Sequence, residues 1–447
     1  MSEVVFRGGT ILALDDDHRV LAGDVATRDG AIVHVGGDYI PQTRDYAIVD
    51  CTDCVVMPGL VQAHVHTCQT LARGRGDDLE LLDWLRDVVW PYEARLDEDA
   101  MTAAAELAMA ELLLGGTTAI LDMGTVHHTD AIFAAAERAG IRATIGKAMM
   151  DLPDPHAPAG LRESTTASLD ESARLAARWH GAAGGRLRYA YAPRFVLSCT
   201  DELLREVGVQ ATARGLGIHT HASENLGEIA LVRARYGKPN IAVLDDLGLL
   251  GPHTCIAHGV HVSPEERALL AARGAHVCTC PSSNLKLASG VCSVPELIAA
   301  GVAMAIGADG APCNNNLDGL LELRLVALLH KPGRGPRTLP APEVVRLATR
   351  GGAAALGLDG NVTGAPTTGA LELGRRGDVI AVDVTALNIV PAVNPWSQIA
   401  YAAKACDVRH VAVDGNLVVR DRTLVSLDVE AVRRRARAAA SRLFSAG

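Results

Sequence analysis

The sequence predicts an α/β fold: a (β/α)8 TIM-like barrel over residues 58–360, a small β-sandwich domain formed by both chain ends, 1–57 and 361–425, and a C-terminal helix over 426–447. Three observations predict it. Short runs rich in β-branched residues, Ala or Gly alternate with amphipathic runs through the middle of the chain, the pattern of parallel strands joined by helices. Metal-type polar residues recur where those short runs end, and barrel sites are built at strand ends. Period-two segments separated by glycine turns occupy both chain ends.

The elements follow in order. VVFRGGTILAL, DVATRDGAIVHVGG and YAIVDCTDCVVMPG read as short strands, with Gly8-Gly9, Asp29-Gly30 and Gly36-Gly37 as turn pairs. Strand candidates in the middle are 59–65, 118–123, 142–150, 186–194, 215–222, 254–260, 275–281 and 302–308. Amphipathic runs lie between most of them, such as 97–115, 129–139, 200–214 and 264–273. Thr129-Asp130, Thr200-Asp201-Glu202 and Ser263-Pro264 are helix-start signals. A doubly wound open sheet is the rival, but no GxGxxG follows the first strand. The long insertion after that strand, about 67–95, contains Trp84, Trp90 and Pro91 and is expected to fold over the barrel mouth. In the tail, LGRRGDVIAVDV and RHVAVDGNLVVRDRTLV alternate like the opening, with Asp414-Gly415 as a turn. The two ends are expected to pair into one sheet domain, since separate caps would each be small for independent stability.

Composition narrows the function. The 447 residues are 49% hydrophobic and 21% charged with a net charge of −10, which suits a large apolar core and disfavours phosphate-backbone binding. Arg433-Arg434-Arg435 lies in a helical pattern and reads as a solvated face. MSEVVFRGGT has no signal-peptide pattern, and no run of about 18 uncharged apolar residues occurs, so a cytoplasmic protein without a membrane span is expected. The ten scattered Cys, Cys51-x-x-Cys54 included, read as reduced thiols. The expected partner is a small molecule and the expected assembly a homo-oligomer.

The chemistry sits in four segments. VVMPGLVQAHVH ends in His64-Val65-His66, LGIHTHASEN carries His219, His221 and Glu224, TCIAHGVH carries His258 and His261, and VAMAIGADGAPCNNN carries Asp309. Strand side chains repeat every two residues, so His64 and His66 point to one side and two imidazoles converge. A single strand-end histidine is ordinarily just hydrogen-bonded, but polar groups at successive strand ends point to one site. The set read from this pattern is His64, His66, His221 and Asp309 around a single Zn2+ or Fe2+ ion. Glu224, three residues past His221, is placed to carry protons, His258 to hold the attacking water, and Asp309 also to take that water's proton. His219 shares strand parity with His221, so His219 and His261 stand as second choices.

PGLVQAHVH, HASE, AHGVH, PSSNLKLASG and GADGAPCNNN, in this order, resemble the amidohydrolase superfamily in its aminohydrolase (deaminase) branch. The resemblance covers essentially the whole chain. It implies hydrolytic release of ammonia from an amino-substituted nitrogen heterocycle, with Glu224 protonating the ring nitrogen. Two-metal relatives use a carbamylated Lys on the fourth strand. RLRYAYAPR has none there, and Lys147 ends the third, so one metal is implied. GRGDDLELLDWLRDVVWPYEARL is similar to methylthioadenosine and S-adenosylhomocysteine deaminases, implying Trp84 and Glu93 at a nucleoside, with Arg162 as a further contact. Gln69 and Arg194, in HTCQ and PRF, are similar to the purine contacts of guanine deaminases. The nucleoside enzymes have a His where Arg194 stands and an Arg where Lys147 stands, and paired donors suit a ring carrying a carbonyl. The expectation is therefore a guanine deaminase-like enzyme acting on a purine- or pterin-type base. A nucleoside deaminase and an s-triazine hydrolase are the alternatives, and a non-catalytic scaffold is disfavoured because the polar groups of the site are all retained.

Overall fold

The structure is a computed structural model that describes residues 3–152, 157–362 and 364–445. Its centre is a closed parallel barrel. The strands are Leu60–His66, Thr117–Met123, Arg142–Gly146 continued by Ala148–Met149, Leu187–Pro193, Gly217–Ala222, Thr254–His258, His276–Thr279, and Ala303–Ile306 continued by Asp309–Gly310. The ten hydrogen-bonded segments make eight strands, because the third and eighth are each in two pieces. All eight coincide with a predicted strand to within a few residues. The ring closes where Asp309 and Gly310 pair with Val65 and His66. The break in the eighth strand falls at Gly307, where a Cβ would lie 2.5 Å from the His64 carbonyl, so only glycine lets this strand pass so close. Small inward residues fill the barrel, among them Ala63, Ala119, Ala190, Cys255 and Ala305.

Helices return the chain between strands, and their starts follow local chemistry. Thr200 accepts from the Leu203 amide, and Ser263 forms a reciprocal capping box with Glu266. Thr129 does not cap as its sequence suggested. His128 holds the cap position with φ 62° and makes no side-chain cap bond, while the Thr129 hydroxyl donates to the Thr125 carbonyl at 3.4 Å. The insertion after the first strand forms a short 3-10 turn, Thr67–Ala72, then a continuous helical run over Leu81–Trp84, Leu85–Val89 and Trp90–Glu93 whose middle is π-helical.

Both chain ends form a single continuous nine-stranded sheet. Its junction is the antiparallel pair of Cys54–Pro58 with Val379–Asp383, in which Ile380 faces Met57. Asp29 and Gly30, and Asp414 and Gly415, all have positive φ, as two-residue hairpin turns require. The last helix, Val429–Phe444, packs on Glu98–Leu114, and Arg435 reaches Glu106 of that helix. Arg433 pairs with Glu430 on the solvent side. All ten cysteines are free thiols, nine buried and Cys406 exposed. Among the described residues, no helix is long and apolar enough to cross a membrane.

Barrel and sheet are tied by one buried ion cluster. Arg142, at the start of the third barrel strand and 1% exposed, donates to both oxygens of Asp378 at 2.7 and 2.9 Å and to Asp414 at 3.1 Å. Removing one partner of such a pair strands the other charge, which costs about 3–5 kcal/mol. Arg142→Leu is therefore expected to lower unfolding free energy by about that amount. Denaturant titration with unchanged slope but a much lower midpoint is the expected reading, and an unshifted midpoint would contradict it.

Candidate active site

The barrel's strand ends bring the predicted residues together. His64 and His66, on one face of the first strand, lie with ring centroids 4.9 Å apart. His66 Nδ1 donates to the Met123 carbonyl at 2.7 Å, and His221 Nδ1 donates to the Arg194 carbonyl at 2.7 Å. Each ring then turns an unprotonated Nε2 inward, and these two nitrogens are 3.2 Å apart. Two lone pairs at that distance repel unless a cation lies between them. Burial and the neighbouring His64 depress the His66 pKa to about 3, so a proton is not that cation at neutral pH.

The remaining donors complete the set. His64 Nε2 is buried without a hydrogen-bond partner and lies 3.2 Å from Asp309 Oδ1, which is also 3.5 Å from His66 Nε2. Ligand atoms of His64, His66 and Asp309 lie within 4.8 Å of one another, and so do those of His64, His221 and His258. An orphaned imidazole nitrogen, facing lone pairs and a carboxylate fit a divalent ion held by nitrogen and oxygen donors. His219 stands behind the cluster, its Nε2 2.8 Å from His64 Nδ1, where it orients His64. His261 is outside, bonded to the Ser289 carbonyl at 2.7 Å.

Three acid–base groups face the same space. Burial raises the Glu224 carboxyl well above its usual range, with Asp309 and Glu228 adding to the effect, which favours its protonated form. Its Oε1 is buried without a partner, while its Oε2 lies 3.4 Å from His258 Nε2. Asn284 Oδ1 accepts from His258 Nδ1 at 2.9 Å, which leaves Nε2 unprotonated toward the site. Burial depresses the His258 pKa to about 4. Burial alone would raise Asp309, but His64, His258 and His66 hold it well below the usual carboxylate range. Ser283 donates to its Oδ2 at 2.6 Å and its own neighbour Gly310 to Oδ1 at 2.8 Å. His258 and Asp309 have φ of 74° and 65°, left-handed conformations that cost about 1–3 kcal/mol each and are held by the surrounding structure.

A cavity opens over these groups, lined on its far side by Gln69, Trp84, Arg194 and Phe195. Glu93 lies just behind it. Arg194 grips Glu93 in bidentate fashion at 2.7 and 3.2 Å, and the Gln69 amide donates to it at 2.9 Å. Arg162 is elsewhere: its side chain is exposed and donates to the Ala157 carbonyl at 3.2 Å. Lys147 is buried against Glu163 at 2.6 Å. The reading of single residues missed Ser283, Asn284, Phe195 and Asp122. Asp122 fixes the turn after the first strand by accepting from the Thr67 amide and hydroxyl at 2.9 and 2.7 Å. PSSN was the available signal for the first two.

A strand-end cluster of imidazoles and a carboxylate beside a buried glutamic acid is the site of a metal-dependent barrel hydrolase. The chain belongs to the amidohydrolase family, whose profile matches residues 55–418. It is 39% identical to a 5-methylthioadenosine/S-adenosylhomocysteine deaminase from Syntrophobacter fumaroxidans, over 98% of this chain and 97% of that one. It is 35% identical to a 5'-deoxyadenosine deaminase from Methanosarcina acetivorans, over 100% and 99%. A zinc-bound crystal structure of an adenosine deaminase from Xanthomonas campestris superposes with a TM-score of 0.89 at 32% identity, covering 99% and 98%. The protein is thus an amidohydrolase-family deaminase, a hydrolase of C–N bonds. These relatives favour the nucleoside alternative over the guanine-type expectation, and the donors assigned to a ring carbonyl are turned toward Glu93.

Ser283 supports a proposed ligand from outside the ligand set, a role whose loss typically costs about 10–100-fold in metal affinity or activity. Ser283→Ala is expected to show a loss of that size in metal dissociation constant or turnover, with an unchanged melting temperature. Parent-like values of both would contradict the role.

Proposed function

We propose that this enzyme deaminates an adenosine-type nucleoside with a modified 5' position, converting the 6-amino group to a carbonyl and releasing ammonia. The observation that carries the reading is the buried Glu224 facing Asp309 and His258 in one cavity, within a chain alike over its full length to nucleoside deaminases. One divalent ion, zinc by analogy with the solved relative, would be held by His64, His66, His221 and Asp309. When bound, it supplies Lewis acidity that lowers the pKa of water towards about 7.

The chain's own groups then divide the proton work. Asp309 accepts the proton of the attacking water, and His258 Nε2 orients that water from the opposite side. Glu224 delivers its proton to the ring nitrogen beside the carbon under attack, which relieves negative charge on the ring. The water adds to that carbon, the C–N bond breaks, and ammonia leaves with the proton relayed through the two carboxyl groups. Trp84 and Phe195 form the apolar wall against which a purine stacks.

Glu93 supports a sugar in particular. A carboxylate has about four acceptor sites, and Arg194 and Gln69 fill three of them. The remaining Oε2 site is unfilled, though the side chain is buried behind the cavity wall, and on this reading it takes a ribose hydroxyl when the nucleoside seats against that wall. Arg194 in this reading fixes Glu93 rather than reading the base.

Glu224→Gln is expected to retain the metal, by elemental analysis, and to lose about 10²–10⁴ in turnover because an amide cannot deliver the proton. Parent-rate ammonia release by that variant would remove Glu224 from the mechanism. Ammonia release should be compared across 5'-deoxyadenosine, methylthioadenosine, S-adenosylhomocysteine, guanine, pterins and triazines. The nucleosides are expected to lead, and Glu93→Ala is expected to lower their kcat/KM by about 10–100-fold, the worth of a hydrogen bond to a charged group. A free base as the best substrate, with Glu93→Ala nearly silent, would overturn the reading.

A further inference from the structure

We infer that Phe444, the last residue of the C-terminal helix, is a positioning residue for the substrate cavity, acting through Tyr92 on Glu93 and Gln69. Phe444 does not line the cavity. Its ring stacks on that of Tyr92, with centroids 6.0 Å apart and planes 13° from parallel. The Arg75 guanidinium lies 3.5 Å from the Phe444 centroid, and Arg95 donates to the Leu443 carbonyl at 3.4 Å. Three residues of the segment around the insertion therefore grip one helix end. That helix is itself held to the barrel, through its packing on Glu98–Leu114 and the Arg435–Glu106 pair.

Tyr92 carries the contact inward. It is 3% exposed, and its hydroxyl donates to the Cys68 carbonyl at 2.6 Å. The adjacent residues repeat the link, since Gln69 donates to Glu93 at 2.9 Å. Two consecutive cross-links, Tyr92 to Cys68 and Glu93 to Gln69, thus join the end of the helical run to the turn after the first barrel strand. A shift of Tyr92 moves both, and Arg194 follows through its two bonds to Glu93. Phe444, with Arg75 lying over it, is the group that stacks on the Tyr92 ring from the solvent side. Without them that ring faces an open groove lined by Val88, Pro91 and Arg95. The inference does not depend on which purine is the substrate, since it concerns how the cavity wall is held.

The test uses the full-length, metal-loaded enzyme, the single variants Phe444→Ala, Phe444→Leu, Phe444→Tyr and Glu93→Gln, and the double variant of Phe444→Ala with Glu93→Gln. Hydrogen exchange in peptides spanning 67–72 and 81–93 is expected to rise in Phe444→Ala and Phe444→Leu and to return in Phe444→Tyr, with barrel peptides unchanged. KM is expected to rise about three- to tenfold, the range an aromatic pair supports, while kcat stays within about twofold. In the Glu93→Gln background, Phe444→Ala is expected to add nothing further, because residues acting through one group are not additive. Unchanged exchange in these peptides would overturn the inference, as would equal KM effects in both backgrounds or failure of Phe444→Tyr to restore the parent values. Phe444→Leu carries the same comparisons should Phe444→Ala not fold. If no purine were turned over, the deaminase reading would fail while the exchange data would still decide this inference.

Discussion

Lone pairs that converge without a proton to separate them are the constraint on which the barrel mouth depends. His66 and His221 each give their one ring hydrogen to a backbone carbonyl, so the nitrogens they present to each other both carry electron pairs. Burial removes the option of protonating one of them. Only a cation makes this arrangement favourable, and the unpartnered His64 nitrogen and the Asp309 carboxylate surround the same point. The site is therefore organised for a positive charge before any substrate is considered. The same scarcity of water and counter-charge raises the Glu224 carboxyl while the imidazoles lower Asp309, so one environment pushes the two carboxyl groups apart.

Much of this was legible because strand geometry is periodic. Period two put His64 and His66 on one face, and the recurrence of polar residues at strand ends indicated a barrel rather than an open sheet. Parity could not separate His219 from His221, because two residues apart they share it. What separates them is height: His221 is one step nearer the mouth and pairs with His66, while His219 lies deeper and backs onto His64. Ser283 and Asn284 follow the seventh strand in a short helix, where no strand parity applies, so their aim at Asp309 and His258 emerges only from the fold. Arg162 shows the opposite failure. Its loop has no periodicity to fix direction, and its charge is oriented outward.

The composite sheet was readable for a different reason. Alternating segments at the two ends each lacked enough strands to stand alone, and pairing them was the economical solution. The structure joins them through one ladder, Cys54–Pro58 against Val379–Asp383. That ladder sits directly below the first barrel strand, since Cys54–Pro58 runs into Leu60–His66 with only Gly59 between. A Cβ on Gly59 would come within 2.0 Å of the Thr118 hydroxyl, so this linker is glycine for close passage. The strand that delivers His64 and His66 is thereby anchored at its base by residues from more than 300 positions later.

Substrate choice turns on what Arg194 is for. A guanidinium at a cavity wall suggests direct recognition of a ring oxygen, which is the inference its residue type invites. The geometry assigns it a different task. Both of its bonds to Glu93 are made, in the dry interior where a bidentate ion pair is rigid, and Gln69 completes the same carboxylate. Breaking that pair to free the guanidinium would leave a buried carboxylate uncompensated, a large cost for one hydrogen bond to a base. Keeping it leaves Glu93 held in place with one acceptor site unfilled. A fixed, negatively charged acceptor recognises hydroxyl donors, and a ribose offers two adjacent ones. The residue whose type suggests a base reader is thus the support that holds Glu93 rigid, which is what the proposed nucleoside reading requires of it.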